Sequence, residues 1–427
     1  MTELSAVIVD SSASYCNSVA ISLKEMGIPQ DRIFITKRYE GAVEFINEKK
    51  PQLLITEFQV DGKFGLELVN LHASQNANNI SVIMTHNNSS SSIAEAAEEL
   101  VDDYIVKPFQ SGMLHQRLRS LINKKLNPSD YIQRIRDGKQ MLIEGRLQDA
   151  EHLFSEALGK ESKPTLAHYY LGYTKYIGKN LSVANAEFVK GLKLQPLHYK
   201  CLTGKFDTFF EQKSYDEAYK VASTIIDNYP IGPKRLANLF ISAVFSGQLD
   251  AVPEYFKLFA ELDHKPPELR KVFAAALFTA GRSQINRQDL AKAGECFELG
   301  IKVIGPDPEY LTKVIKVLLK TDAMGHRHAS KILQQFPNTQ IGTKAFENLQ
   351  FLVQCKILPV GDLIDRGRKL AANKRLDAES YEVFVNILLE NRKITLAEDI
   401  TAKALKEYPE MRDTLSMIYE KFQGIIS

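Results

Sequence analysis

Leu53-Leu54-Ile55-Thr56-Glu57 is a short apolar run that ends in a carboxylate, and Phe58-Gln59-Val60-Asp61-Gly62-Lys63-Phe64-Gly65 follows it. Such a run, closed by polar turn residues, reads as a buried strand opening into a loop. Val7-Ile8-Val9-Asp10 upstream and Ile105-Val106-Lys107-Pro108-Phe109 downstream have the same form. Apolar runs at 6–9, 33–35, 53–56, 82–84 and 104–106 alternate with stretches such as 17–26 and 39–48, whose apolar residues fall at helical spacing. Five such units predict an α/β fold, a parallel sheet covered by helices on both faces. Ligands of such sheets lie beyond the carboxyl ends of the strands. That rule gathers Asp10, Glu57, Thr85 or His86, and Lys107 into one pocket.

These residues resemble the receiver domain of two-component response regulators, over essentially all of residues 1–126. The resemblance implies a flavodoxin-like fold whose third strand ends in a phosphoacceptor aspartate; Glu57 stands there instead. Of the family's two acidic residues after strand one, Asp10 keeps the first and Ser11 replaces the second. A hydroxyl residue ends the family's fourth strand. Counting back from Lys107 selects Thr85, counting along the strand pattern selects His86, and both stand. The family lysine is Lys107, with a cis bond expected to Pro108, and the switch aromatic of strand five matches Tyr104. The family's partner-facing surface corresponds to residues 93–126, with Leu100, Val101 and Tyr104 as candidate members. Before it, His86-Asn87-Asn88-Ser89-Ser90-Ser91-Ser92 reads as a loop ending in a helix cap ahead of Ile93.

The departures point one way. Magnesium favours near-octahedral oxygen ligands, usually including one or two carboxylates, and Ser11 removes a charge the ion needs. Glutamate is longer than aspartate by one carbon–carbon bond, ~1.5 Å. In phosphoryl transfer, which rests on positioning, a misplacement of about 1 Å costs on the order of 100-fold. Glu57 is expected to reach toward Lys107 as a built-in imitation of the modified state, giving a pseudo-receiver with no catalytic residue, metal or cofactor. The alternative is a magnesium-dependent response regulator whose phosphorylation gates partner binding.

The chain has 427 residues, 44% hydrophobic and 25% charged, which favours several domains or a repeat array. Its 54 basic and 52 acidic side chains give no global field to draw nucleic acid or an anionic membrane. Cys16, Cys201, Cys296 and Cys355 lie far apart without zinc spacing and read as buried thiols of a reducing compartment. The first residues, with Glu3 and Asp10 around a short apolar run, are not expected to act as a secretory signal, and no apolar run reaches the roughly 20 residues of a membrane helix. A cytoplasmic location is expected.

Asn127-Pro128-Ser129-Asp130 stops one helix and caps the next, so residues 127–130 read as a linker before a second domain at 131–427. There, Ala150, Ala184 and Ala218 recur every 34 residues; Gly138 and Gly172, Phe154 and Phe188, and Pro196 and Pro230 keep the same interval, with Ala222 third in the phenylalanine series. That period resembles tetratricopeptide repeats. Gly247 and Phe256 fit a fourth unit, and Ala293, Phe297 and Gly300 a fifth. Residues 306–377 are helical in periodicity but match poorly, Ala397, Ala404 and Pro409 restore the pattern, and a helix at 414–426 is expected to cap the array. The resemblance implies a superhelix with a concave, peptide-binding face. The family's geometry aims Ile135, Lys139, Tyr169, Tyr173, Tyr176 and Lys200 inward. The three tyrosines, at helical spacing, suit either helix packing or a groove.

No helix-turn-helix, basic stripe or glycine-rich phosphate loop is evident. The expectation is therefore a non-enzymatic two-component signalling adaptor. Its protein partner would be a sensor kinase, another regulator or an enzyme, and homodimer formation stays open. A structural oligomerisation scaffold is the competing class.

Overall fold

The computed structural model describes residues 3–76, 78–86, 101–229, 231–262 and 264–426. It comprises two compact units, Met1–Gln248 with Tyr255–Leu269, and Leu249–Glu254 with Arg270–Ser427.

The first unit opens with β1 (Ala6–Val9), α1 (Ala13–Glu25), β2 (Ile33–Thr36), α2 (Tyr39–Lys49), β3 (Leu53–Glu57), a small hairpin of β4 (Gln59–Val60) and β5 (Lys63–Phe64), α3 (Gly65–Gln75), β6 (Ile80–Thr85), β7 (Asp103–Val106) and α4 (Ser111–Leu126). Five strands form a parallel sheet in the order β2-β1-β3-β6-β7. Each strand expected from the sequence is present; the hairpin was not foreseen.

The apolar runs follow from burial on both faces. Ile8, Ile55 and Met84 pack with Leu23 of α1 and Leu114, Leu118 and Ile122 of α4. The alternate residues Val7, Val9, Leu54 and Ile83 pack with Ile46 of α2 and Leu68 and Val69 of α3. Strand side chains alternate between faces, so both helical layers receive apolar cover. On the second face sits His72, whose Nε2–H donates to the Pro51 carbonyl at 2.8 Å while Nδ1 accepts from the Ser81 hydroxyl at 2.8 Å.

The linker is tightly held. Ser129 Oγ accepts from the Ile132 amide and caps α5 (Asp130–Ile143). The buried Arg136 guanidinium donates back to the Lys125 carbonyl in α4. Lys125 Nζ lies 3.0 Å from Asp102 and donates to the Asn79 carbonyl at 2.9 Å. α5 is therefore bonded directly to the α/β layer it follows.

Helix pairs then repeat: α5 with α6 (Leu147–Leu158), α7 (Thr165–Ile177) with α8 (Leu181–Leu194), and α9 (Tyr199–Glu211) with α10 (Tyr215–Asn228). Ala150, Ala184 and Ala218 are fully buried where paired helices meet. A β-carbon on Gly138 would lie 2.4 Å from the Phe154 ring, and one on Gly172 2.6 Å from the Phe188 ring. In the third pair the sizes exchange: Phe206 stands in the glycine series and Ala222 in the phenylalanine series, both buried. Constant packed volume explains why the period survives where residue identity changes.

The expected fourth unit departs from this plan. After Pro233–Phe245, Gly247 turns the chain at φ +74, but short 3₁₀ turns at Leu249–Ala251 and Pro253–Tyr255 precede a brief helix, Phe256–Glu261. Pro253 cannot donate within a longer helix, so the second helix of this unit is cut short. Pro230 of the repeat series lies outside the described residues.

In the second unit, Gly281 meets Phe297 and Gly367 meets Phe384 in the same close manner. The poorly matching stretch forms Pro308–Leu318, Ala323–Leu333, Lys344–Gln354 and Val360–Ala372. Ala378–Glu390 and Ile394–Glu407 restore the pattern, with Ala397 and Ala404 buried. The last helix starts at Arg412, two residues before its expected start. Among the described residues no helix is long and apolar enough to cross a membrane.

Candidate functional site

Strand register builds the pocket. Val9 pairs with Thr56, so Asp10 and Glu57 emerge side by side at the carboxyl ends of β1 and β3. Thr85 pairs with Val106, and the Lys107 amide donates to the Thr85 carbonyl at 2.6 Å, which brings Lys107 to the same end. Thr85 is the last residue of β6 and is buried; His86 follows it outside the strand. The Lys107–Pro108 bond is cis.

The Lys107 side chain is fully buried between two acids. Its Nζ lies 2.6 Å from Asp10 Oδ2, a charge contact without hydrogen-bond alignment, and donates to Glu57 Oε1 at 2.9 Å. Glu57 Oε2 accepts the Ser11 hydroxyl at 2.9 Å and the Ser11 amide at 3.3 Å. Asp10 Oδ1 accepts the Ser12 amide at 2.9 Å. Burial pushes the Glu57 carboxyl up, but hydrogen bonds from Lys107 and Ser11, with the Lys107 charge, outweigh it and hold the group below the usual carboxylate range.

An aromatic residue that the sequence reading missed, Tyr15, closes the pocket. Lys107 Nζ sits 4.5 Å from the Tyr15 ring centroid. That ring meets His86 edge-on at 5.6 Å and Phe109 at 5.2 Å. Tyr15 lies in the first turn of α1, where helical periodicity gives no hint of a strand-end contact. The unforeseen hairpin did carry a sequence signal. Asp61 and Gly62, at φ 52 and φ 76, form the turn that Asp-Gly pairs favour, and Asp61 accepts the Tyr39 amide at 2.9 Å. Tyr104 sits half-buried in β7 beside Ile83, and Val101 packs partly buried against the same core. The loop at 87–92, the helix start at 93 and Leu100 lie outside the described residues.

A magnesium ion, which the family resemblance implies, does not fit this donor set. Both carboxylates face the Lys107 ammonium, and the Ser11 hydroxyl and amide point as donors at Glu57. Neither carboxylate is free of the ammonium, so a hard cation would have to displace it.

In the repeat array the six inward-facing candidates separate. Ile135 is 3% exposed and packs in one core with Phe154 of α6 and Leu171 of α7, so it lines no groove; an isoleucine at that register serves the core. Tyr169 contacts Tyr170 at 4.9 Å and Phe188 at 5.9 Å, which is packing. Tyr173 stacks on Tyr169 at 6.0 Å yet is 38% exposed, and Tyr176 stacks on Tyr173 at 6.5 Å. Lys139 Nζ lies 6.0 Å from the Tyr170 ring and Lys200 Nζ 5.8 Å from the Tyr169 ring. The tyrosine run is thus part packing and part surface.

Residues 6–119 match the response regulator receiver domain. Among solved structures, the beryllofluoride-activated DrrB receiver domain is 18% identical, covering 28% of this chain and 97% of its own, with a TM-score of 0.25. YrrB, described as a tetratricopeptide repeat protein with an unusual peptide-binding site, is 18% identical over 44% of this chain and 93% of its own, with a TM-score of 0.33. A tetratricopeptide repeat protein from Parabacteroides merdae is 14% identical over 60% of this chain and 97% of its own, also with a TM-score of 0.33. No curated protein matches the chain. Within the matched residues, the Glu57 carboxylate occupies the pocket beside Lys107.

Proposed function

We propose that the protein is a non-enzymatic two-component signalling adaptor. Its receiver domain is a pseudo-receiver, and its helical repeats hold a partner protein. One observation carries this reading: Glu57 meets Lys107 at 2.9 Å and Ser11 at 2.9 Å, so a fixed carboxylate already fills the place of a transferable group. Proximity of a reacting atom to an in-line donor is the main source of rate in phosphoryl transfer, and a carboxylate clamped on both oxygens is held away from attack. The exposed Tyr173 face supports a protein-binding role for the array. The four free cysteines suit a reducing, cytoplasmic setting. The partner is taken to be a sensor kinase, another regulator or an enzyme that the adaptor recruits or restrains.

Incubating the full chain with acetyl phosphate and magnesium, followed by intact-mass measurement, tests the reading. An unchanged mass agrees with it. A stable phosphoryl adduct within residues 6–119 would replace it with a phosphorylatable regulator.

A further inference from the structure

Two carboxylates set side by side, Asp10 buried and Glu57 half-buried, repel one another and need a positive partner. Here the partner is internal. The Lys107 ammonium lies against Asp10 Oδ2 at 2.6 Å and Glu57 Oε1 at 2.9 Å, and its side chain has no solvent exposure. The Tyr15 ring covers a further side at 4.5 Å, with the ammonium over its negative π face. Tyr15 is itself braced by His86 and Phe109. A divalent ion reaching both acids would have to move this ammonium into the volume that the three aromatic groups fill.

We propose that the Lys107 ammonium is the resident cation of the pocket in place of a divalent metal, and that Tyr15 is the positioning residue that holds it there. This deepens, and rests on, the pseudo-receiver reading. Ser11 completes the arrangement by donating to Glu57 where a third acid would otherwise call for more positive charge. The pocket is then a closed set in which removal of the lysine charge, rather than addition of a ligand, exposes an affinity for metal.

The test is Mn²⁺ titration of the full chain, with free Mn²⁺ followed by its paramagnetic resonance. Wild type is expected to show no uptake that depends on Asp10. Lys107→Met, which keeps the apolar stem without the charge, is expected to gain at least about tenfold in Mn²⁺ affinity. Adding Asp10→Asn removes that gain. Tyr15→Leu should gain part of the same affinity, whereas Tyr15→Phe, which keeps the ring face, behaves as wild type. A second readout works even where Lys107→Met fails to fold. The ¹⁵N-labelled Lys107 ammonium protons should exchange slowly in wild type and Tyr15→Phe, and rapidly in Tyr15→Leu. The inference is overturned by Asp10-dependent Mn²⁺ binding in wild type equal to that of Lys107→Met, or by unchanged Lys107 exchange in Tyr15→Leu. The acetyl phosphate assay, run on the same samples, separates the failures. Metal uptake without phosphorylation sinks only this inference, while phosphorylation of wild type sinks the pseudo-receiver reading as well.

Discussion

Ser11 donates both its hydroxyl and its backbone amide to one oxygen of Glu57, at 2.9 and 3.3 Å, and so pins the side chain that points its other oxygen at Lys107. The two residues thus work together. Glu57 reaches the lysine, and the Ser11 hydroxyl supplies a donor that an ionised acid at that position would lack, beside the backbone amide that any residue but proline would offer.

Glu57→Gln should destabilise the receiver domain by about 1–2 kcal/mol, because charge-assisted bonds to Lys107 and Ser11 are exchanged for neutral ones while Asp10 still pairs Lys107. The pH dependence has a definite sign. The folded Glu57 carboxyl lies below its usual range, so as pH falls the unfolded chain takes up the proton first. The stabilisation is complete above about 4.3, the ordinary glutamate value, and is lost as pH falls through the lowered folded value. Urea unfolding of wild type and variant, compared near neutrality and in mild acid, reads both effects; a wild-type advantage that grows on acidification would contradict them.

Restoring both acids should restore chemistry. Glu57→Asp combined with Ser11→Asp withdraws the carboxylate by ~1.5 Å and replaces the Ser11 donor with a ligand suited to magnesium. The double variant is expected to acquire an acid-stable, base-labile phosphoryl group from acetyl phosphate, and either single change alone to give much less. Intact mass decides, and an unmodified double variant would show that something besides these two positions blocks the reaction.

His72 makes the sheet acid-sensitive. Burial holds its imidazole down to about 4, against a hydrogen bond to the Pro51 carbonyl that acts the other way. Between its usual value of ~6.5 and that lowered value, the unfolded chain binds a proton that the folded one refuses, so stability falls with pH across this window. About 2 kcal/mol should be lost from neutrality to pH ~5. Amide exchange at β6 across that range checks it, and His72→Gln should flatten the slope.

The sheet was legible because five apolar runs ended in turn or charged residues, a pattern that fixes strands whatever the chemistry of the site. Glu57 and Lys107 were also legible, since strand ends alone place them together. Tyr15 was not. Its role depends on where the first turn of α1 crosses the strand ends, a three-dimensional fact without sequence period. Ile135 misled for the opposite reason. Position within a repeat gave its register, but an apolar side chain at a helix crossing is drawn into the core, where it is 3% exposed. The 34-residue spacing reported the array faithfully where packed volume was conserved and departed from it just after Gly247, where Pro253 precedes a shortened second helix.

Gly172 tests the packing rule of the array. A β-carbon there would lie 2.6 Å from Phe188 Cε1, so Gly172→Ala should cost about 1–3 kcal/mol through overpacking, despite alanine's higher helix propensity. Combining it with Phe188→Leu should recover part of the loss, and a double-mutant cycle followed by thermal unfolding measures the coupling. Additive losses would mean that the glycine and the ring are not in the close contact described.

The occupancy of the pocket decides the account most directly. Crystals of the protein soaked with beryllofluoride and magnesium should show the Glu57 carboxylate bonded to Lys107 and Ser11, with neither the fluoride complex nor an ion beside it. Beryllium bound to Glu57 with magnesium seated next to Asp10 would contradict it.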